Sequence, residues 1–311
     1  MCIFGIFKQL VPFQTGAYNL PTAASMKNME SNKVTKIIHG ESMILQTTLN
    51  LLKNNHKDYI ESITISEVRI GCFLTAVKLS DDSYGVSSTI MPQNKKVHCR
   101  KNQRDFGEFT PSKILGSKVM DLLESTKQNE IITTLKVAVL NAISSKLIET
   151  SIYKILRNTD PIDLIDLEAG KTITIVGAFQ SYIQKISKTN NKLFVLEFNE
   201  NALIDDDKKY YVPANEFSKV LPISDIVIIT GLTLVNGTID SLLKVIKPGA
   251  QIIVTGPSSS LIPDVLFNNN VEIIGAISIT NPELILKVVS EGGAGYHLFE
   301  YCAEKICILN E

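Results

Sequence analysis

Thr172-Ile173-Thr174-Ile175-Val176-Gly177-Ala178-Phe179 is the stretch that decides the fold. Five β-branched residues in a row followed by glycine read as a strand buried on both faces that turns tightly at its carboxyl end. Apolar runs of similar length follow at 193–198, 226–230, 251–255 and 271–277. Between them lie helical patterns around Tyr182 and at 215–220, 238–246, 262–267 and 282–289. Short apolar runs alternating with helices predict right-handed crossovers and a doubly wound parallel sheet. Residues 159–311 are therefore expected to form a Rossmann-like α/β domain.

Upstream, Asp160-Pro161-Ile162-Asp163-Leu164-Ile165-Asp166-Leu167-Glu168-Ala169-Gly170 is bounded by proline and glycine and reads as a connector. Residues 36–158 are expected to form a smaller α+β domain. Its first helix, 41–54, carries Met43, Ile44, Leu45, Leu49, Leu51 and Leu52 at helical spacing. Strands at 63–70, 73–79 and 84–90 follow, the last two joined by Ser80-Asp81-Asp82-Ser83, as in an antiparallel meander. After a polar loop at 92–109, Thr110 and Pro111 form an N-cap and first helical position, predicting a helix that runs to Leu123. A further helix spans 130–147. Residues 1–35, rich in Asn, Ser, Thr and Lys toward their end, are expected to be a poorly ordered extension. Met1 to Phe13 is apolar, but Lys8 interrupts it and no charged segment precedes it, so it does not have the form of a secretory signal. Met26 and Met29 are alternative starts.

The 31 basic and 32 acidic residues leave a net charge of −1, so no global field draws in nucleic acid or an anionic membrane. No apolar stretch is expected to approach the roughly 20 residues that cross a bilayer. Five cysteines, Cys2, Cys72, Cys99, Cys302 and Cys307, lack the spacing of a disulfide scaffold. They point to reduced thiols and a cytoplasmic protein. As metal ligands they are poorly placed: His98 and Cys99 are adjacent in a loop, and Cys72, His297, Cys302 and Cys307 form no close pair. Held on one strand, Cys302 and Cys307 would point to opposite faces.

Ligands of open parallel sheets bind beyond the carboxyl ends of the strands, and the polar residues of this chain gather there. The first strand leads into Gly177 and Phe179. The second ends at Glu197 and Asn199, with Glu197 twenty positions after Gly177, where nucleotide-binding folds keep an acid for ribose hydroxyls. The third opens into Thr230-Gly231-Leu232-Thr233-Leu234-Val235-Asn236-Gly237-Thr238, dense in neutral donors. The fourth ends in Gly256-Pro257-Ser258. The expected ligand-binding set is thus Gly177, Phe179, Glu197, Asn199, Thr230, Gly231, Thr233, Asn236, Thr238, Gly256, Pro257 and Ser258. Helix capping and ordinary turns account for any one of these loops, though less readily for all of them together. A G-x-G-x-x-G fingerprint, a Walker loop, a nucleophile elbow and a zincin motif are all absent. Glu291-Gly292-Gly293-Ala294-Gly295-Tyr296-His297 reads as a closure over the crevice or as a loop ending a helix.

At these residues the sequence resembles the putative heavy-metal chelation family. The segments that carry the resemblance are Ile175 to Phe179, Leu221-Pro222-Ile223-Ser224-Asp225, Ile229 to Thr238, Gly256-Pro257-Ser258 and Glu291-Gly292-Gly293. Gly71-Cys72-Phe73-Leu74-Thr75-Ala76-Val77 and Leu140-Asn141-Ala142 carry it more weakly. The resemblance implies an enolase N-terminal-like domain before the Rossmann-like one, a cleft between them, and a role with a metal ion or metal chelate. Two other readings stand beside a small anionic or metal-chelating ligand: a nucleotide- or S-adenosylmethionine-dependent enzyme, and a noncatalytic partner-binding protein. The sequence leaves the substrate, the reaction and homo-oligomerisation open.

Overall fold

The computed structural model describes residues 42–90, 107–127, 129–168 and 170–310. The expected extension, the pair His98-Cys99 and most of the loop at 92–109 lie outside the described residues.

Alternating side chains form a three-stranded antiparallel sheet of β1 (Ile65–Ile70), β2 (Leu74–Leu79) and β3 (Tyr84–Ser88), in that order. Asp81 shapes the turn between β2 and β3, accepting from the Ser83 N–H at 3.2 Å and the Ser83 hydroxyl at 2.7 Å. Before this sheet come α1 (Met43–Asn55) and α2 (Lys57–Ser62), and after it α3 (Val119–Leu123) and α4 (Glu130–Glu149). Asn129 caps α4, its side chain accepting from Ile131 N at 2.8 Å. By length and composition α4 could cross a membrane, contrary to the expectation that no segment approaches that size. Its apolar surface is covered instead: Ile132, Leu135, Val137, Ala138, Val139 and Ile143 are fully buried, making α4 a core helix. Gly85 lets β3 approach α4 closely, since a Cβ there would lie 2.1 Å from the Ala138 carbonyl oxygen and 2.3 Å from Ala142 N.

The helix expected from Thr110 does not form. Ser112 and Gly116 adopt φ of +74° and +81°, outside the helical range. The backbone there pairs with β1 instead: Gly116 N donates to Ile65 O at 2.8 Å and Ile65 N to Ser117 O at 3.0 Å. Helical structure begins only at Val119.

The second sheet has eight strands: β4 (Lys154–Arg157), β5 (Thr172–Val176), β6 (Lys192–Glu197), β7 (Tyr211–Pro213), β8 (Ile226–Thr230), β9 (Gln251–Thr255), β10 (Val271–Ile279) and β11 (Ala303–Leu309). Their order is β4-β11-β10-β9-β8-β5-β6-β7. From β10 to β7 all neighbours are parallel, while β11 and β4 run antiparallel along the other edge. Counted from β5, the parallel strands read 3-2-1-4-5-6, the doubly wound order, which reverses between β5 and β8. The crossovers carry α5 (Gln180–Ile186), α6 (Phe217–Val220), α7 (Leu232–Val235), α8 (Ile239–Leu243) and α9 (Asp264–Phe267), with α10 (Pro282–Ser290) and α11 (Gly295–Tyr301) leading into β11.

The strand pleat decides which core each residue joins. Ile173, Ile175, Ile226 and Ile228 pack with Ile162, Tyr182, Ile183 and Ile186 on one face. Val227, Ile229, Ile252 and Val254 belong to a core that continues into Leu135, Leu140, Leu49 and Ile44. Residues before and after the connector thus share one apolar interior, and polar contacts join them. The Asp240 carboxylate accepts from Ser42 Oγ at 2.7 Å and from Met43 N and Ile44 N at 3.1 Å each, capping α1 from α8. Ser144 Oγ accepts from Ile262 N at 2.8 Å, and Tyr153 donates to Asp264.

Candidate functional site

The expected site residues fall into two groups at the carboxyl ends of the parallel strands. At the switch point, Gly177 has φ +104°, and a Cβ there would meet the Thr230 methyl at 3.1 Å, which brings Gly177 and Thr230 together. Phe179 follows and stacks on Tyr182, with ring centroids 5.3 Å apart. Glu197 and Asn199 lie beyond β6 but bond to their own turn. Glu197 Oε1 accepts from Phe198 N at 2.7 Å, and Asn199 Oδ1 accepts from Asn201 N at 3.0 Å.

The second group is brought together against α4 and β3. Gly231 and Ser259 touch, since a Cβ at Gly231 would lie 2.9 Å from Ser259 N. Thr233 is 2% exposed and donates to Thr230 O at 2.7 Å. Asn236 Oδ1 accepts from Thr238 Oγ1 at 2.6 Å and Thr238 N at 3.1 Å. Gly256, at φ +126°, turns the chain so that Pro257 O accepts from Asn141 Nδ2 at 3.3 Å. Ser258 is fully buried, accepting from Ser88 N at 2.8 Å and donating to Ser88 Oγ at 3.1 Å. The hydroxyls of Thr233 and Ser258 are thus engaged by the protein itself.

A cavity of about 190 Å³ lies between the β3–α4 pair and strands β10, β11 and β4. Its wall includes Gly85, Asn141, Ser145, Ser260 and Ser278, and none of the twelve expected residues. Ser260 Oγ accepts from Ile277 N at 3.2 Å, and Ser278 Oγ accepts from Arg157 Nη1 at 3.3 Å. Exposed charges of both signs also line the cavity: Lys146 and Arg157, Asp82 and Glu149. Arg157 also pairs with Glu304, and Asp82 with Lys78. Asn141 is 1% exposed; its Nδ2 donates to Val86 O at 2.7 Å as well as to Pro257 O, while its Oδ1 has no partner among the described residues. The sequence held one signal for this place, an amide in the middle of an apolar helix.

Other groups build structure. Asp160 receives the Tyr182 hydroxyl, the Lys305 ammonium and Ile162 N, tying connector, α5 and β11 together. Burial and the Asp160 carboxylate push the Tyr182 hydroxyl far above its ordinary range. Among the described cysteines, Cys72 is exposed and Cys302 and Cys307 are buried. Cys302 precedes β11 rather than sharing a strand with Cys307. Burial raises both thiols, Cys307 to about 12, and Cys307 donates to Thr159 O at 3.2 Å. His297 lies in α11, and its Nδ1 accepts from Ala294 N at 3.0 Å. Among the described residues no group of three or more His, Cys, Asp or Glu is placed to hold a metal ion.

A two-sheet α/β protein with doubly wound strand order and a cavity of mixed polar and apolar wall beside the β3–α4 pair is the class that fold and site define. Two family models, both described as "Putative heavy-metal chelation", match residues 160–308 and 54–144, and the chain belongs to that family. A protein of unknown function of the same family from Pyrococcus horikoshii is similar in structure, with TM-score 0.66 and 23% identity over 86% of this chain and 99% of that one. Another, from Desulfitobacterium hafniense DCB-2, has TM-score 0.61 and 16% identity over 85% and 99%. At these identities the likeness shows the fold alone. No curated protein matches the chain.

Proposed function

We propose that the protein handles metal as a small anionic chelate, held in the cavity between the β3–α4 pair and the edge of the large sheet. The observation that carries this reading is the cavity wall, which combines neutral hydroxyls and an amide with exposed charges of both signs. Lys146 and Arg157 suit the carboxylates of a chelator, while Asp82 and Glu149 suit the cationic centre it carries. Capture of a bare soft ion has less support, because such ions need thiolate or imidazole clusters and the two buried thiols are held protonated. The nucleotide or S-adenosylmethionine reading is weakened by Glu197, whose Oε1 serves its own turn. Buried free thiols at Cys302 and Cys307 support a reducing, cytoplasmic setting.

Thermal unfolding tests the proposal, since a ligand that binds only the folded state raises the melting temperature. The melt is run with nickel, cobalt and zinc salts alone, with citrate alone, and with each metal–citrate complex. A rise with a complex, lost in Arg157→Gln, is expected. A rise with bare ions that Arg157→Gln leaves intact overturns the reading.

A further inference from the structure

We propose that the chelator held in this cavity has an apolar body, a ring or a branched alkyl group, which lies on Ile155, Tyr84 and Ile279 while its carboxylate engages Arg157. This rests on the cavity being the ligand site. Strand register defines the sheet face that lines it. Ala276 stands opposite Ile306, and Ile306 opposite Arg157. Directly paired residues share a face, as do residues two apart on one strand, so Ile155 and Ser278 belong to that face as well. All five line the cavity. The face is apolar through Ala276, Ile306 and Ile155 and turns polar at Arg157 and Ser278. Tyr84 and Val86 of β3, Ile148 of α4 and Ile279 of β10 add further apolar wall.

Of these, Ala276, Ile306, Ile148 and Val86 are buried, whereas Ile155, Tyr84 and Ile279 are half-buried and keep apolar area open among the described residues. Wall hydroxyls already have partners within the chain. Ser83 Oγ donates to Asp81 at 2.7 Å, Ser145 Oγ donates to Ala142 O at 2.8 Å, and Ser260 Oγ accepts from Ile277 N at 3.2 Å. A chelator that sets its own hydroxyls against the half-buried apolar residues loses water there without gaining a partner. An apolar body gains from the same contact. Arg157, at the polar end of the face, presents a planar fork of N–H donors that suits a carboxylate. The cavity's 190 Å³ is below the roughly 300–1,000 Å³ of pockets that enclose drug-sized ligands, so the body is a single ring or a short branched chain.

The nickel complexes of malonate, isobutylmalonate and phenylmalonate supply the test, because the same two carboxylates hold the metal and only the apolar body differs. Affinities are measured by titration calorimetry on the full chain, with nickel citrate as reference. At least one of the substituted malonates is expected to bind about tenfold or more tightly than malonate. Arg157→Gln should weaken all three. Ile155→Thr keeps a β-branched residue on β4 and should narrow the ratio about threefold; its circular dichroism is checked. If it does not fold, Arg157→Gln decides, and a preference that this change leaves untouched in affinity overturns the inference. Equal binding of all three that is lost in Arg157→Gln overturns the apolar body and leaves the cavity reading standing, as does binding of nickel citrate alone. Binding of none of the four complexes overturns both. An unchanged ratio in folded Ile155→Thr overturns the placement of the body on Ile155.

Discussion

Replacing Gly85 by alanine adds one methyl group where β3 crosses α4 on the cavity wall. That Cβ would lie 2.1 Å from Ala138 O, 2.3 Å from Ala142 N and 2.9 Å from Ala142 Cα, all backbone atoms of a buried helix. Ordinary contact begins at 3.4 Å, so strand and helix must part by 3.4 − 2.1, or about 1.3 Å. No side chain can swing away to absorb this. Overpacking of this kind costs about 1–3 kcal/mol, and against backbone on both sides the upper end applies. Loss of glycine's freedom in the unfolded chain returns about 0.4–1 kcal/mol, which leaves a net destabilisation of about 2 kcal/mol. Urea unfolding followed by circular dichroism reads this as a lower midpoint at constant slope. Gly116→Ala is the control, since nothing lies within 4 Å of its Cβ and only its φ of +81° opposes the change. It should cost about 1 kcal/mol. A Gly85→Ala chain as stable as wild type, or less destabilised than Gly116→Ala, would refute the close approach of β3 to α4.

Asp240→Ala removes three hydrogen bonds to Ser42, Met43 and Ile44 and the acid that faces the start of α1. A loss of about 1–3 kcal/mol in urea unfolding is expected, and an unchanged midpoint would mean that α8 does not anchor α1. Stability should also fall at alkaline pH. The Cys307 thiol is raised from 9.0 to about 12 in the folded chain, while in the unfolded chain it ionises near 9. Its contribution is therefore complete below pH 9 and is lost as pH rises from 9 toward 12, by at most about 1.4 kcal/mol per pH unit. Tyr59, Tyr153 and Tyr182, also shifted upward, add to the decline. Cys307→Ala should flatten the limb between pH 9 and 10.5, and an identical slope in both chains would contradict the assignment.

Much of the fold could be read from residue order because burial on both faces writes itself as continuous β-branched runs. Thr172–Val176, Ile226–Thr230 and Gln251–Thr255 form strands with the bounds expected of them. Strands β4 and β7, four and three residues long, are too short to show a period, and β11 lies outside the expected runs as well, its Glu304 and Lys305 interrupting the apolar pattern. Thr110-Pro111 has the chemistry of a helix start, yet the backbone that follows pairs with β1, a tertiary competitor that local sequence does not reveal. The site was less legible. Hydroxyls at the ends of β8 and β9 are evident in sequence, but which way they face depends on α4, far away in the chain. Ser258 turns to Ser88, and the cavity opens beside Ser260, two residues further on. Asn141 could have been noticed as an amide inside an apolar helix, although its unmet oxygen depends on Val86 and Pro257 arriving from two other segments.

Equilibrium dialysis against nickel at micromolar concentration, with elemental analysis of the protein compartment, bears most directly on whether metal is held as a chelate. The chain is expected to retain nickel when citrate is present in equal amount, Arg157→Gln to abolish the retention, and blocking the exposed Cys72 with iodoacetamide to have no effect. Stoichiometric retention of nickel without any chelator, abolished by iodoacetamide and indifferent to Arg157→Gln, would contradict it.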